Sequence, residues 1–210
     1  MTSSPYALDV LKPISIKQLI RVLIGLFVYG GGLALMVSAE IGLSPWDVLA
    51  MGISLQTTLS FGWSTVLVSG LVLLLWIPLK VKLGVGSVLN AVLVGLFADL
   101  WLIFLPNYEQ MISKIAVFSI GTIVIGMATG LYISAGLGKG PRDGLMVGTA
   151  EKVKKPFWIV RSFYEVTVLL IGFSLGGPVG LGTIIFVVSI GYLTQLGLRL
   201  FKLADRRGIV

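Results

Sequence analysis

The sequence contains no histidine and no cysteine. The first absence removes the imidazole on which most zinc and haem sites and Ser–His nucleophiles depend. The second removes thiol catalysis, iron–sulfur ligation and disulfides, and in this chain it says nothing about compartment. Charge is scarce as well: 12% of the 210 residues are charged, against about 25% in soluble domains. Hydrophobic residues make up 56%, and the mean hydropathy is +1.01. Charge-free stretches run over 22–39, 48–79, 83–98, 115–138 and 166–198. Most match or exceed the ~20 residues that cross a bilayer as a helix. An ordinary soluble globular domain is thereby excluded, and the chain reads as a polytopic membrane protein. There is no nucleotide-binding glycine loop and no carboxylate pair at catalytic spacing. No enzyme activity, metal or cofactor is expected.

The chain repeats itself at a constant offset of 96 residues. Segment 25–52 lies over 121–148 without a gap, with 11 identities in 28 positions, among them Gly30/Gly126, Ser38/Ser134, Gly42/Gly138, Pro45/Pro141, Asp47/Asp143 and Gly52/Gly148. The register continues through Gly84/Gly180, Gly86/Gly182 and Gly95/Gly191. Chance matches in apolar sequence fall on Leu and Val, whereas Pro, Asp and several Gly in register mark a duplication.

Each half contains a long apolar helix (20–39, 116–135), a Gly/Pro break, a short segment (45–60, 141–155), and two further apolar helices (63–79 and 86–105; 158–175 and 182–202). The short segment of the second half holds Arg142, Asp143, Glu151, Lys152, Lys154 and Lys155. At about 2.5–3.5 kcal/mol per central charge it does not span. Both short segments read as re-entrant or interfacial half-helices. With three spans per half and a cytoplasmic N-terminus, 15 Lys and Arg lie inside and Lys114 alone outside. Eight spans would give 12 inside and 4 outside, a weaker positive-inside bias. Six spans are therefore expected, and three per half turns the second copy over, giving inverted repeats. The net charge of +7 is then a product of topology and calls for no nucleic acid. The expected layout is a cytoplasmic segment 1–19, a first repeat 20–105, an external linker 106–115, a second repeat 116–203 and a cytoplasmic tail 204–210. The tail, with Asp205, Arg206 and Arg207, is expected to meet anionic lipid headgroups.

Small residues recur every four positions in the first helix of each half, at Gly30, Ala34 and Ser38 and at Gly126, Gly130 and Ser134. Such a face admits a close helix neighbour. Internal packing is the first reading, completed by Gly95 and Gly191, and a homodimer face is the second. The breaks read Gly42-Leu43-Ser44-Pro45-Trp46-Asp47 and Gly138-Lys139-Gly140-Pro141-Arg142-Asp143. Proline suits the first helical position, and Ser44 with Asp47 has the form of a capping box. Gly140 takes the cap in the second half, where Asp143 faces the positive end of the dipole. Matched Gly/Pro-interrupted segments are also where transporters place substrate, with Arg142 as an anion contact and Trp46 as its aromatic counterpart. Among ionisable residues in spans, Asp99 has Gln195 as its symmetry mate and no partner in its own helix. It must face the bundle interior, a water-filled cavity or a basic group. Glu165 lies one turn after Arg161, an i,i+4 ion pair on its simplest reading. Asn90, Tyr192 and Gln195 offer further hydrogen bonds, and Glu40 marks the outer interface.

The doubled motif, above all Pro141-Arg142-Asp143-Gly144 in so apolar a chain, resembles the YczE/YyaS/YitT family of bacterial integral membrane proteins. The YczE-like branch is nearest, and the resemblance spans about residues 15–203. It implies a location in the bacterial cytoplasmic membrane and brings no settled activity. With seven residues after the second repeat, the resemblance is expected to be to members without the soluble C-terminal domain of YitT-like proteins. Two functions remain open. One is a small secondary transporter or facilitator of a solute or ion. The other is a non-transporting membrane partner that supports or regulates another protein.

Overall fold

The computed structural model describes residues 14–201, and the C-terminal tail 204–210 lies outside them. Among the described residues the chain is all helical: α1 (Ile16–Ser38), α2 (Pro45–Gln56), α3 (Phe61–Leu79), α4 (Val85–Leu102), α5 (Met111–Ile133), α6 (Pro141–Val153), α7 (Phe157–Ser174) and α8 (Leu181–Leu200). Six of these (α1, α3, α4, α5, α7 and α8) are long and apolar enough to cross a membrane, while α2 and α6, at 12 and 13 residues, are not.

The first helix of each half starts earlier than its apolar run. Ser15 caps α1, accepting from the Lys17 amide, while the Gln18 side chain accepts from the Ser15 amide. This capping box winds the polar turn containing Lys17 and Gln18 into the helix, a turn that the apolar run 20–39 leaves outside. At α5 the same extension takes in Ser113 and Lys114.

Helices α1 and α5 form the central pair and run antiparallel. Gln18 at the start of α1 donates to the carbonyl of Ala135 beyond the end of α5, at 2.9 Å. At the other end Lys114 pairs with Glu40 at 3.0 Å. Between them the glycines set the spacing: a Cβ on Gly32 would meet Gly121 and Ile125, and one on Gly121 would meet Gly32 and Met36. Gly25 lies against Tyr132 in the same way.

Contacts recur at the 96-residue offset. Helix α4 packs on α1 and α8 on α5; Gly30 abuts Phe97 and Ala98, and Gly126 abuts Leu193. Gly130 meets Gly197, and Ala34 is fully buried. Ser38 and Ser134 instead bond back to the carbonyls of Leu35 and Leu131. Each break reaches into the opposite half: the Gly86 amide donates to Leu137 O at 2.8 Å, and the Gly182 amide to Ile41 O at 2.7 Å. The half-helices are exchanged too, α2 packing chiefly on α7 and α6 chiefly on α3. Their last turns use matched positions, Gln56 donating to Leu175 O and Lys152 to Pro78 O. Left-handed backbone recurs at mates as well, with Glu40 at φ 54° where Gly136 has 73°, and Lys80 at 55° where Gly176 has 91°.

One expected contact does not form. Gly95 packs directly on the backbone of Gly62, but nothing lies within 4 Å of a Cβ built at Gly191. The mate of Gly62 is Trp158, 68% exposed, and α7 and α8 do not pack closely on each other as α3 and α4 do. Gly191 therefore does not belong to the central packing.

Candidate functional site

The two breaks deliver the first turns of α2 and α6 to one place. Ser44 caps α2 by accepting from the Asp47 amide at 3.4 Å. The Asp47 carboxylate does not close a capping box onto the Ser44 amide. One oxygen accepts from the Ser44 hydroxyl and the other from the Arg142 guanidinium, at 2.8 Å. That ion pair joins the halves across the duplication, with Asp47 only 1% exposed. Arg142 also lies 5.6 Å from the centre of the Trp46 ring, within cation–π range. Helix α6 has Gly140 at its N-cap, so no side chain caps the first-turn amides, which in any helix lack intrahelical partners. Trp76 of α3 closes over Gly144 and donates its indole N–H to Pro141 O at 3.0 Å. At the corresponding place α7 presents Gly172 to Val48, the same complementarity with large and small exchanged.

Beside this junction lies a cavity of about 110 Å³ to which all eight helices contribute. The breaks supply Ser44, Pro45, Trp46, Gly140, Pro141, Arg142 and Asp143. Helix α7 adds Arg161 and Glu165, which pair at 2.8 Å. Hydroxyls come from Tyr29, Thr65, Ser69, Thr129, Tyr132 and Thr194, and an amide from Asn90. Two groups stand out for what they lack. The Trp46 indole N–H is buried with no hydrogen-bond partner. Asp143, whose aligned mate Asp47 is doubly bonded, has no hydrogen bond or ion pair with any described residue. Burial pushes the Asp143 carboxyl above its ordinary range, and the charges of Arg161, Arg142 and Lys139 oppose that rise.

Ser44, Pro45, Trp46, Gly140, Pro141, Arg142, Asp143 and Glu165 thus line one cavity, with Asp47 directly behind it. Asp99 and Gln195 do not line it. The Asp99 carboxylate accepts from the Gly62 amide at 2.7 Å and from the Ser60 hydroxyl, and so holds the first turn of α3. Its partner is a helix start, neither a basic group nor the cavity. Tyr29 and Tyr132 were not singled out by sequence, because an aromatic residue in an apolar helix carries no sign of the face it occupies. Arg161 was read only as the partner of Glu165.

An all-helical bundle with six candidate spans, and a polar cavity between two interrupted half-helices, defines a polytopic membrane protein with a buried polar centre. The chain belongs to the family of unknown function DUF6198, which it matches over residues 16–199. It is 41% identical over 184 residues to an uncharacterized protein of Haemophilus influenzae, covering 88% of this chain and 84% of the relative. To the uncharacterized membrane protein YczE of Bacillus subtilis it is 34% identical over 176 residues, 83% of this chain and 82% of YczE. YyaS, an uncharacterized protein of the same organism, is 28% identical over 193 residues, 88% of this chain and 96% of YyaS. No solved structure matches the chain.

Proposed function

We propose that this protein is a small secondary transporter or facilitator of the bacterial cytoplasmic membrane, with both termini cytoplasmic and its solute site in the cavity beside the half-helix junction. The observation that carries the reading is the meeting of two half-helix N-termini, joined by the Asp47–Arg142 pair, at a polar cavity that draws on every helix. Discontinuous helices with their positive ends at a site between inverted repeats are a recurring plan for secondary carriers. The antiparallel α1/α5 pair and the exchanged breaks support opposed halves. Rocking of one half against the other about this pair would alternate the exposure of the site, and breaking and remaking the Asp47–Arg142 bond would accompany each cycle. No enzymatic step is part of this reading.

The test is reconstitution into liposomes and solute counterflow. Wild-type protein exchanges a small polar solute or couples to a proton gradient, and Arg142→Ala abolishes the flux. Absence of solute or ion movement with folded protein would overturn the reading. A second reading, a non-transporting membrane partner, draws on the open side of the bundle, where Gly191 has no neighbour and α7 exposes Phe163, Leu170 and Phe173. Co-purification of a stoichiometric partner, undisturbed by Arg142→Ala, would favour it.

A further inference from the structure

The cavity lining carries charge of both signs in balance: Arg142 and Arg161 against Asp143 and Glu165. Arg142 is already engaged by Asp47 and Arg161 by Glu165, which leaves Asp143 as the lining ion without an ionic partner among the described residues. Opposing it are the Trp46 indole N–H, which has no acceptor, and the first turn of α6, which no side chain caps. Guanidinium N–H groups of Arg142 beyond the one bound to Asp47 add to these, since arginine carries five donors. One site thus holds a part-buried carboxylate with no salt bridge to a described residue and, in the Trp46 indole, a buried donor with no acceptor.

We propose that the cavity binds a small zwitterion of the amino-acid type, its ammonium against the Asp143 carboxylate and its carboxylate against the Trp46 indole N–H, the α6 amides and Arg142. The proposal rests on the transport reading of the same cavity and names its substrate class. A lone anion would satisfy the donors and leave Asp143 facing a second negative charge. A lone cation would satisfy Asp143 and leave the donors empty beside two guanidinium groups. A solute carrying both charges fills both deficits with charge-assisted hydrogen bonds, the stronger kind. Size restricts it further, because about 110 Å³ is well below the roughly 300–1,000 Å³ of pockets that take drug-sized ligands. Glycine and alanine are of the right scale.

The experiment is equilibrium binding of radiolabelled glycine to the full chain in lipid nanodiscs, with acetate and methylammonium as competitors carrying one charge each. Glycine is expected to bind, and each competitor to be weaker by about ten- to hundred-fold, the weight of one or two charge-assisted hydrogen bonds. Asp143→Asn should abolish glycine binding, and Trp46→Phe should weaken it by about ten-fold, with thermal unfolding of each variant checked in parallel. Equal binding of acetate or methylammonium, or no binding of any of the three, overturns the zwitterion. If liposomes nevertheless carry another solute, the transporter reading survives that result. If they carry nothing, both fall.

Discussion

Asp47 and Arg142 lie 95 positions apart in the chain and 2.8 Å apart in space. Neither is the other's symmetry mate. The alignment set Asp47 over Asp143 and Trp46 over Arg142, so the sequence singled out all four residues and could not say which would touch. Pairing across the pseudo-symmetry axis depends on how the halves dock, which a repeat does not encode. The buried pair predicts strong coupling. Asp47→Ala or Arg142→Ala alone should destabilise the protein by about 3–5 kcal/mol, because each strands a buried charge. The double substitution Asp47→Leu/Arg142→Met should cost much less than the two singles together in thermal unfolding in detergent; additive losses would contradict the pair. Asp143 predicts the opposite sign. Its carboxyl is raised by burial from an ordinary value of 3.8, so the folded state holds its proton more tightly than the unfolded state. Stability is therefore lost as pH rises from about 4. Asp143→Asn should raise the melting temperature at neutral pH, and the gain should vanish as pH falls towards 4. A destabilised Asn variant at neutral pH would refute this. The solute binding proposed for Asp143 then carries a stability cost, as functional sites often do.

At the level of elements, proline, glycine and charge-free runs in the sequence located all eight helices of the described residues, with the starts of α1 and α5 misplaced by polar first turns, which a capping box brings into α1 and no side chain caps in α5. The role of Asp99 was not legible. An acid in a span can face a cavity or a helix end, and Ser60 and Gly62 mark the second only once α3 and α4 are seen to touch. Asp99→Ala should cost about 1.5–3 kcal/mol, the value of hydrogen bonds to a charged group, and should leave glycine affinity unchanged. A loss of binding without loss of stability would return Asp99 to the site. Glycine mates separate the two halves: Gly95→Ala forces a methyl into the backbone of Gly62 and should destabilise by about 1–3 kcal/mol, whereas Gly191→Ala enters open space and should be nearly neutral. Similar losses at both positions would mean that α7 and α8 are packed like α3 and α4.

For the whole molecule, the duplication explains why the breaks, the left-handed turns and the central glycines recur at one offset. In the transport reading proposed above, three spans per half turn the copies to opposite sides of the membrane, and the cavity between them is where opposed halves would expose a site alternately. The sequence supported this orientation through its basic residues, and the antiparallel α1/α5 pair supports it again through contacts. The chain is a cysteine-free background, and Lys82 and Pro178, exposed mates at the 96-residue offset, lie in the turns before α4 and α8. The most direct test introduces Lys82→Cys and Pro178→Cys separately and treats intact cells with a membrane-impermeant thiol reagent. Opposed halves predict labelling at 178 and protection at 82, with 82 becoming reactive in inside-out vesicles. Labelling of both positions from the same side would contradict the account.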